Sequence, residues 1–247
     1  MLDRGGQTEL ERPSEPKVRS FFLPGPAGRL EAVLNTGAPD ASHCALVCHP
    51  HPLYGGTLHN KVVYHAMKAL NGLGLPVLRF NFRAAGLSEG AHDQGRGEVD
   101  DVRVALDWLN REFRLPIIFA GFSFGAVVGV KAACPDPRVT AVISLGTPMR
   151  VSAEEAARAG GPAQERRYEH RVLRECAKPK LLLSGAGDAF APRRQLEELA
   201  AELPDPKKLV LIEGAGHYFE GHLEEMRRTI ESWVREVALK PVGDRWR

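Results

Sequence analysis

The sequence predicts an α/β fold, with a mainly parallel central sheet covered by helices on both faces. Short apolar runs of strand length recur along the chain, with apolar stripes at helical spacing between most of them. The runs are apolar throughout rather than alternating, as strands covered on both faces require. At 247 residues, the chain is long enough for one large domain with a sizeable core.

Taken in order, residues 1–17 carry Gly5, Gly6, Pro13, Pro16 and seven charged side chains, too little apolar surface to offset the entropy of ordering them. A flexible tail is expected there, followed by a single domain over 18–247. Val18 to Leu23 and Arg29 to Asn35, punctuated by Pro24-Gly25-Pro26, predict a β-hairpin. Buried strands are expected at Ala45–Cys48, Val77–Phe82, Ile117–Ala120, Val139–Leu145, Leu181–Leu183 and Leu209–Ile212. Four helical stripes fall between or after them: Val63, Met67 and Leu70; Val99, Val102, Leu106, Leu109 and Phe113; Leu196, Leu199 and Leu203; and Phe219, Leu223, Met226, Ile230, Trp233 and Val237. From Pro148 to Lys178 the rhythm breaks around Gly160-Gly161-Pro162. No strand is expected there, only an insertion after the sixth strand, a surface excursion or a small cap over a pocket.

Composition narrows the function classes. Lys and Arg number 33 against 31 Asp and Glu, a net charge of +2, without a block of like charges. Neither a nucleic-acid surface nor a polybasic membrane patch is expected. The longest apolar stretches, such as Cys44–Cys48 and Ala126–Val130, are far shorter than a bilayer span needs. Asp3, Arg4, Glu9, Glu11 and Arg12 interrupt any secretory core near the N-terminus. Cys44, Cys48, Cys134 and Cys176 fit neither a disulfide framework nor a paired zinc motif. A cytoplasmic protein with reduced, buried cysteines is expected.

The chemistry concentrates in three loops. Gly121-Phe122-Ser123-Phe124-Gly125 follows a buried strand and opens a small-residue helix. That context converts a common pentapeptide into a strained strand-to-helix turn projecting Ser123 above the sheet, with the Phe124 N–H facing a developing oxyanion. A serine hydroxyl needs a base, and the base an orienting acid. Asp188 follows Ser184-Gly185-Ala186-Gly187 past one strand, and His217 follows Gly214-Ala215-Gly216 past the last, so all three reach the same sheet edge. A loop-capping aspartate and a histidine near a helix N-terminus are the structural alternatives. His222, five residues on, reads as helix surface, and Asp136 and Asp205 as turn residues beside prolines.

The chain resembles the α/β-hydrolases from about residue 18 to residue 238. It is most similar to small bacterial members related to dienelactone hydrolases, which carry His-Pro-His-Pro, then Gly-Gly-Thr and Asn-Lys-Val-Val. Here the segments are His49-Pro50-His51-Pro52-Leu53-Tyr54-Gly55-Gly56-Thr57 and Asn60-Lys61-Val62-Val63. Arg79-Phe80-Asn81-Phe82-Arg83 also matches, whereas Ala84-Ala85-Gly86 departs from the usual Arg-Gly-x-Gly turn. The resemblance implies an α/β-hydrolase fold with Ser123 as nucleophile, Asp188 as acid and His217 as base.

Residues 49–57 occupy the loop that supplies the second oxyanion donor in such folds. Pro50 and Pro52 cannot donate, which leaves His51 or a residue from Leu53 to Tyr54, with the His51 backbone favoured. Tyr54, Phe122, Phe124 and Phe219 flank the site and predict a modest apolar acyl pocket.

The function expected is hydrolysis of a small carboxylic ester, thioester or lactone through an acyl-enzyme, with no cofactor, metal, nucleic acid or membrane as partner. Two other readings compete. One is a non-catalytic scaffold that binds a small ligand or a partner. The other is a metal-dependent hydrolase built on the His49-x-His51 pair, which would need further converging ligands.

Overall fold

The computed structural model describes residues 17–151, 153–158 and 166–239. Its strands are β1 (Val18–Gly25), β2 (Gly28–Asn35), β3 (Cys44–Cys48), β4 (Val77–Phe80), β5 (Ile117–Phe122), β6 (Val139–Leu145), β7 (Arg150–Val151), β8 (Arg166–Arg167), β9 (Lys180–Gly185) and β10 (Lys207–Ile212). The helices are α1 (Lys61–Asn71), α2 (Gly97–Phe113), α3 (Phe124–Ala133), α4 (Ala153–Arg158), α5 (Arg171–Arg174), α6 (Arg193–Glu202) and α7 (Leu223–Trp233).

Eight strands form one sheet in the order β1-β2-β4-β3-β5-β6-β9-β10. The β1–β2 hairpin pairs antiparallel and joins β4 antiparallel, and every pairing from β4 to β10 is parallel. Alternation along each strand sorts the core into two layers. In β3, Cys44, Leu46 and Cys48 face the layer shared with α2 and α3, whereas Ala45 and Val47 face the layer shared with α1 and α7. Both cysteines of β3 are fully buried packing residues.

The helical stripes face these layers. Val62, Val63, Ala66, Met67 and Leu70 of α1 meet Met226, Ile230 and Trp233 of α7 on one side. Val99, Val102, Leu106 and Leu109 of α2 meet Val128 and Ala132 of α3 on the other. Burying a Leu- or Ile-sized side chain in this way stabilises by about 1.5–3 kcal/mol. The α1 N-terminus is fixed by Asn60, whose side chain accepts from the Val62 N–H at 2.9 Å.

The segment after β6 differs from the expectation of no strand. Arg150 and Val151 pair antiparallel with Arg167 and Arg166, a two-residue ladder too short to carry a periodic signal. Its base is stitched to the loop after β9, since the Met149 N–H donates to Phe190 O at 2.9 Å and Arg150 Nη2 to Ala189 O at 3.1 Å. The Gly160-Gly161-Pro162 break and residues 1–16 of the expected tail lie outside the described residues. Among the described residues, no helix is long and apolar enough to cross a membrane.

Candidate active site

Ser123 joins β5 to α3 with φ 54 and ψ −119, a left-handed strain that an L residue holds only when its surroundings dictate it. Those surroundings are specific. The Ser123 N–H donates to Leu145 O at 2.9 Å, and Ser123 O accepts from the Ala126 and Val127 N–H groups. A Cβ on Gly121 would lie 2.5 Å from Gly125 O, and one on Gly125 would lie 2.5 Å from His49 O. The two flanking glycines therefore let the turn close on itself and let α3 press against the loop after β3.

The other two side chains arrive from neighbouring strands. After β9, Asp188 is almost fully buried; its Oδ1 accepts the Phe190 N–H at 2.8 Å and the Ala191 N–H at 3.2 Å, and its Oδ2 accepts Ser184 Oγ–H at 3.1 Å. The loop after β10 carrying His217 is bonded to this acid loop through Ala186 N–H to Ile212 O at 2.8 Å and Gly187 N–H to Ala215 O at 2.9 Å. His217 Nδ1 lies 2.8 Å from Asp188 Oδ2, and His217 Nε2 lies 3.0 Å from Ser123 Oγ. With Nδ1–H donating to the carboxylate, Nε2 is left as the acceptor for the serine proton. The structure thus brings Ser123, His217 and Asp188 into one hydrogen-bonded line. Such a line can raise the nucleophilicity of the hydroxyl and return its proton to a leaving group.

A cavity of about 230 Å³ opens over Ser123. Its walls include His51, Tyr54, Glu154, Phe190 and Tyr218. Tyr54 lies where the sequence places it. Phe122 and Phe219 do not, since both are fully buried in the α1 and α7 layer. Strand alternation sends Phe122, with Ile118 and Ala120, to that face, where its ring lies 5.0 Å from the His217 imidazole and supports it from below. Phe190, at 4.7 Å from the imidazole, and Tyr218 take the wall positions instead. Both neighbour a predicted site residue in sequence, but loop residues carry no period from which direction can be read. Glu154 brings α4, and so the segment after β6, to the cavity wall.

The loop after β3 is held by groups that the sequence leaves without a role. Leu58 is clamped at both backbone groups, its N–H donating to Asn81 Oδ1 at 2.7 Å and its carbonyl accepting from Arg79 Nη1 at 2.9 Å. Asn81 Nδ2 donates in turn to Glu31 Oε2 at 2.6 Å. His49 is fully buried, with Nδ1 at 2.6 Å from Pro50 O and Nε2 accepting the Phe82 N–H at 2.9 Å. Both of its ring nitrogens are thereby used, and burial lowers its pKa to about 3. Of the His49-x-His51 pair, only His51 lines the cavity. Among the described residues, no group of three or more His, Cys, Asp or Glu could hold a metal ion.

Within residues 50–54, Leu53 N–H donates to His51 Nδ1 at 3.2 Å and Tyr54 N–H to His51 O at 3.1 Å. The prolines have no N–H, so among the described hydrogen bonds only the His51 amide of this segment has no acceptor. The His51 ring packs at 4.7 Å from Phe124 and 4.8 Å from His92, whose Nδ1 lies 2.8 Å from the buried Glu98 Oε1. Burial and the neighbouring His92 bring the His51 pKa down to about 4.

Comparison with known proteins identifies the family. The model of a family described as an alpha/beta hydrolase domain matches residues 54–240, most of the chain. The chain belongs to the α/β hydrolases. An uncharacterized protein of Rickettsia prowazekii is 32% identical over 221 residues, covering 87% of each. An alpha-beta serine hydrolase homologue from Coxiella burnetii superposes with a TM-score of 0.74 at 34% identity, covering 87% of this chain and 96% of that one. A Xanthomonas campestris protein described as a serine hydrolase without lid gives 0.73 at 30% identity, covering 91% and 97%.

In this α/β hydrolase, the departure at Ala84-Ala85-Gly86 is accommodated by Ala84 itself taking φ 63 and Gly86 φ 53. Gly86 is packed too tightly for a side chain, since a Cβ there would meet Glu31 Oε2 at 2.6 Å. The adjacent Arg83 closes a buried ion pair with Asp101, Nη2 to Oδ1 at 2.7 Å and Nε to Oδ2 at 3.0 Å. The acidic residues Glu89, Glu98, Asp100 and Asp101, before and within the first turns of α2, have different partners. Glu98 and Asp101 are buried and partnered, Asp100 pairs with Arg103 at the surface, and Glu89 pairs with Arg29. His222 stands at the N-cap position of α7 without a side-chain capping bond, its Nδ1 3.4 Å from Glu225 Oε2.

Proposed function

We propose that this α/β hydrolase cleaves a small carboxylic ester, or a thioester or lactone, through an acyl-enzyme on Ser123. The observation that carries the reading is the unbroken line from Ser123 Oγ to His217 Nε2 at 3.0 Å and from His217 Nδ1 to Asp188 Oδ2 at 2.8 Å. His217 takes the Ser123 proton as Oγ adds to the substrate carbonyl, then delivers it to the leaving alcohol or thiol as the acyl–oxygen or acyl–sulfur bond breaks. Asp188 holds the tautomer and stabilises the imidazolium. A water, deprotonated by His217, then releases the acid from Ser123.

The oxyanion is received by two backbone donors. Phe124 N–H stands at the first residue of α3, where the helix dipole adds positive potential. His51 N–H is the second, its neighbours in the loop being committed elsewhere or absent. Each donor of this kind is worth about 3–4 kcal/mol of transition-state stabilisation. The cavity of about 230 Å³ suits a short acyl group, with Tyr54, Phe190 and Tyr218 as its apolar walls and Glu154 disfavouring an anionic one.

The partner is therefore a small acyl compound, and the His49–Thr57 and Asn60–Val63 segments support placement with the small bacterial members related to dienelactone hydrolases. Four free cysteines suit the cytoplasm. Replacing Ser123→Ala should abolish both turnover of short-chain p-nitrophenyl esters and covalent labelling by a fluorophosphonate probe. Labelling that persists in the folded variant would place the nucleophile elsewhere.

A further inference from the structure

The two amides assigned to the oxyanion belong to residues whose side chains pack on each other. The His51 and Phe124 rings lie 4.7 Å apart between centroids, tilted by 56°. A third ring closes the cluster: His92, in the loop before α2, lies 4.8 Å from His51 and 5.7 Å from Phe124. Its side chain is only 6% exposed although it comes from a loop. The line from Ser123 through His217 to Asp188 makes no use of it.

His92 stands on a firm base. Glu98, in the first turn of α2, is fully buried, and its Oε1 lies 2.8 Å from His92 Nδ1. The same carboxylate ties the loop backbone, Oε1 accepting the Asp93 N–H at 2.7 Å and Oε2 the Gly95 N–H at 2.8 Å. Asp93 Oδ2 in turn accepts the Gly97 N–H at 3.0 Å, so the loop and the helix start close on one another. Gly95, at φ 80, presses on α3, because a Cβ there would lie 3.1 Å from Val128 Cγ2 and 3.6 Å from Phe124 Cε2. Burial disfavours the charged Glu98, but His92 and the loop amides together hold its carboxyl below the ordinary range.

The peptide that presents the second donor is shaped by its own turn. Pro50 O lies 2.6 Å from His49 Nδ1, and across this trans peptide the His51 N–H points the opposite way. The His51 carbonyl accepts the Tyr54 and Gly56 N–H groups at 3.1 Å, and the ring accepts the Leu53 N–H at 3.2 Å. All of these bonds lie within residues 49–56, so they do not by themselves set the distance of the His51 amide from α3. The ring cluster spans that gap.

We propose that His92, braced by Glu98, is a positioning residue for the reaction: its ring holds the His51 and Phe124 rings together and so fixes the spacing of the two oxyanion donors. The inference rests on the acyl-transfer reading and gives His92 no contact with substrate. Preorganised donors stabilise the tetrahedral state only while their spacing suits it, and a displacement of about 1 Å can cost on the order of 10²-fold in rate. Removing the His92 ring therefore weakens transition-state binding and leaves ground-state binding alone.

The test measures p-nitrophenyl acetate hydrolysis by the full chain, together with inhibition by a trifluoromethyl ketone, which forms its oxyanion only on adding to the nucleophile. In His92→Ala, kcat should fall roughly 10²-fold with KM within about twofold of wild type. The ketone should weaken by a similar factor, on the order of 10²-fold. His51→Ala, which keeps the amide and loses the ring, should show the same pattern, and adding His92→Ala to it should cost less than about threefold more. His92→Phe, which puts a ring back in the same place, should restore kcat to within about threefold of wild type.

A kcat for His92→Ala within about threefold of wild type would overturn the proposal. So would a loss confined to KM, a ketone affinity unchanged while kcat falls, losses that multiply in the double variant, or a folded His92→Phe as slow as His92→Ala. Ser123→Ala tests the underlying reading separately. Turnover that is lost with Ser123 but indifferent to His92 defeats this inference alone, whereas a wild-type chain inert toward both ester and ketone defeats both.

Discussion

One oxygen of Asp188, Oδ2, serves both His217 Nδ1 at 2.8 Å and Ser184 Oγ at 3.1 Å. The other oxygen is taken by two backbone amides, so the carboxylate cannot turn. Asp188→Asn keeps this shape but presents either an amide N–H to Nδ1 or a weaker neutral acceptor, which disturbs the tautomer with Nε2 open. The kcat for p-nitrophenyl acetate should fall roughly 10⁴-fold with KM little changed. A loss below about tenfold in steady-state assays would remove Asp188 from the role proposed.

The strain at Ser123 makes a prediction of opposite sign for stability. At φ 54, glycine relieves the strain that serine or alanine retains. Ser123→Gly should therefore be inactive yet more stable than Ser123→Ala by about 1 kcal/mol in urea unfolding. Equal midpoints for the two variants would show that the turn costs nothing to hold.

Most of the fold was legible because burial on both faces makes β3, β5, β6 and β9 read as plain apolar runs, and because the α2 and α7 stripes are long. Ser123, Asp188 and His217 were legible for a related reason, each following a buried strand through glycines toward one sheet edge. What escaped depends on direction rather than position. Phe122 is adjacent to Ser123 yet turns to the opposite layer, while Phe190 and Tyr218 sit in loops where nothing in the sequence fixes orientation. The β7–β8 ladder escaped because two residues are too few to show alternation.

The buried ion pair between Arg83 and Asp101 offers a stability test away from the site. Asp101 is fully buried and also accepts the Arg83 backbone N–H at 3.1 Å. Asp101→Ala leaves a buried guanidinium unpaired and should cost about 3–5 kcal/mol by denaturant unfolding. The double variant Arg83→Met with Asp101→Ala should recover most of that loss. A double variant as unstable as the single would show that the backbone bond, not the charge, dominates.

His49 predicts acid sensitivity. Burial holds its folded pKa near 3, against about 6.5 in an unfolded chain. Between those values the unfolded chain binds a proton that the folded one refuses, because Nε2 is already accepting from Phe82. The stabilisation is complete above about pH 6.5 and is lost as pH falls toward 3, with a slope of up to ~1.4 kcal/mol per pH unit. His51 and His170, both lowered to about 4, act in the same direction. His49→Gln, which can still accept from Phe82, should flatten the slope of unfolding free energy between pH 6 and pH 4 by roughly one proton equivalent. An unchanged slope would assign the acid limb to other groups.

The strand order carries a consequence for synthesis. Ser123 leaves β5 near the middle of the sheet, but His217 follows β10, its outer edge and the last strand among the described residues. A chain built only through β9 would carry the Ser123 hydroxyl without the imidazole that lies 3.0 Å from it. In this α/β hydrolase the line from Asp188 to Ser123 therefore closes only when β10 docks beside β9.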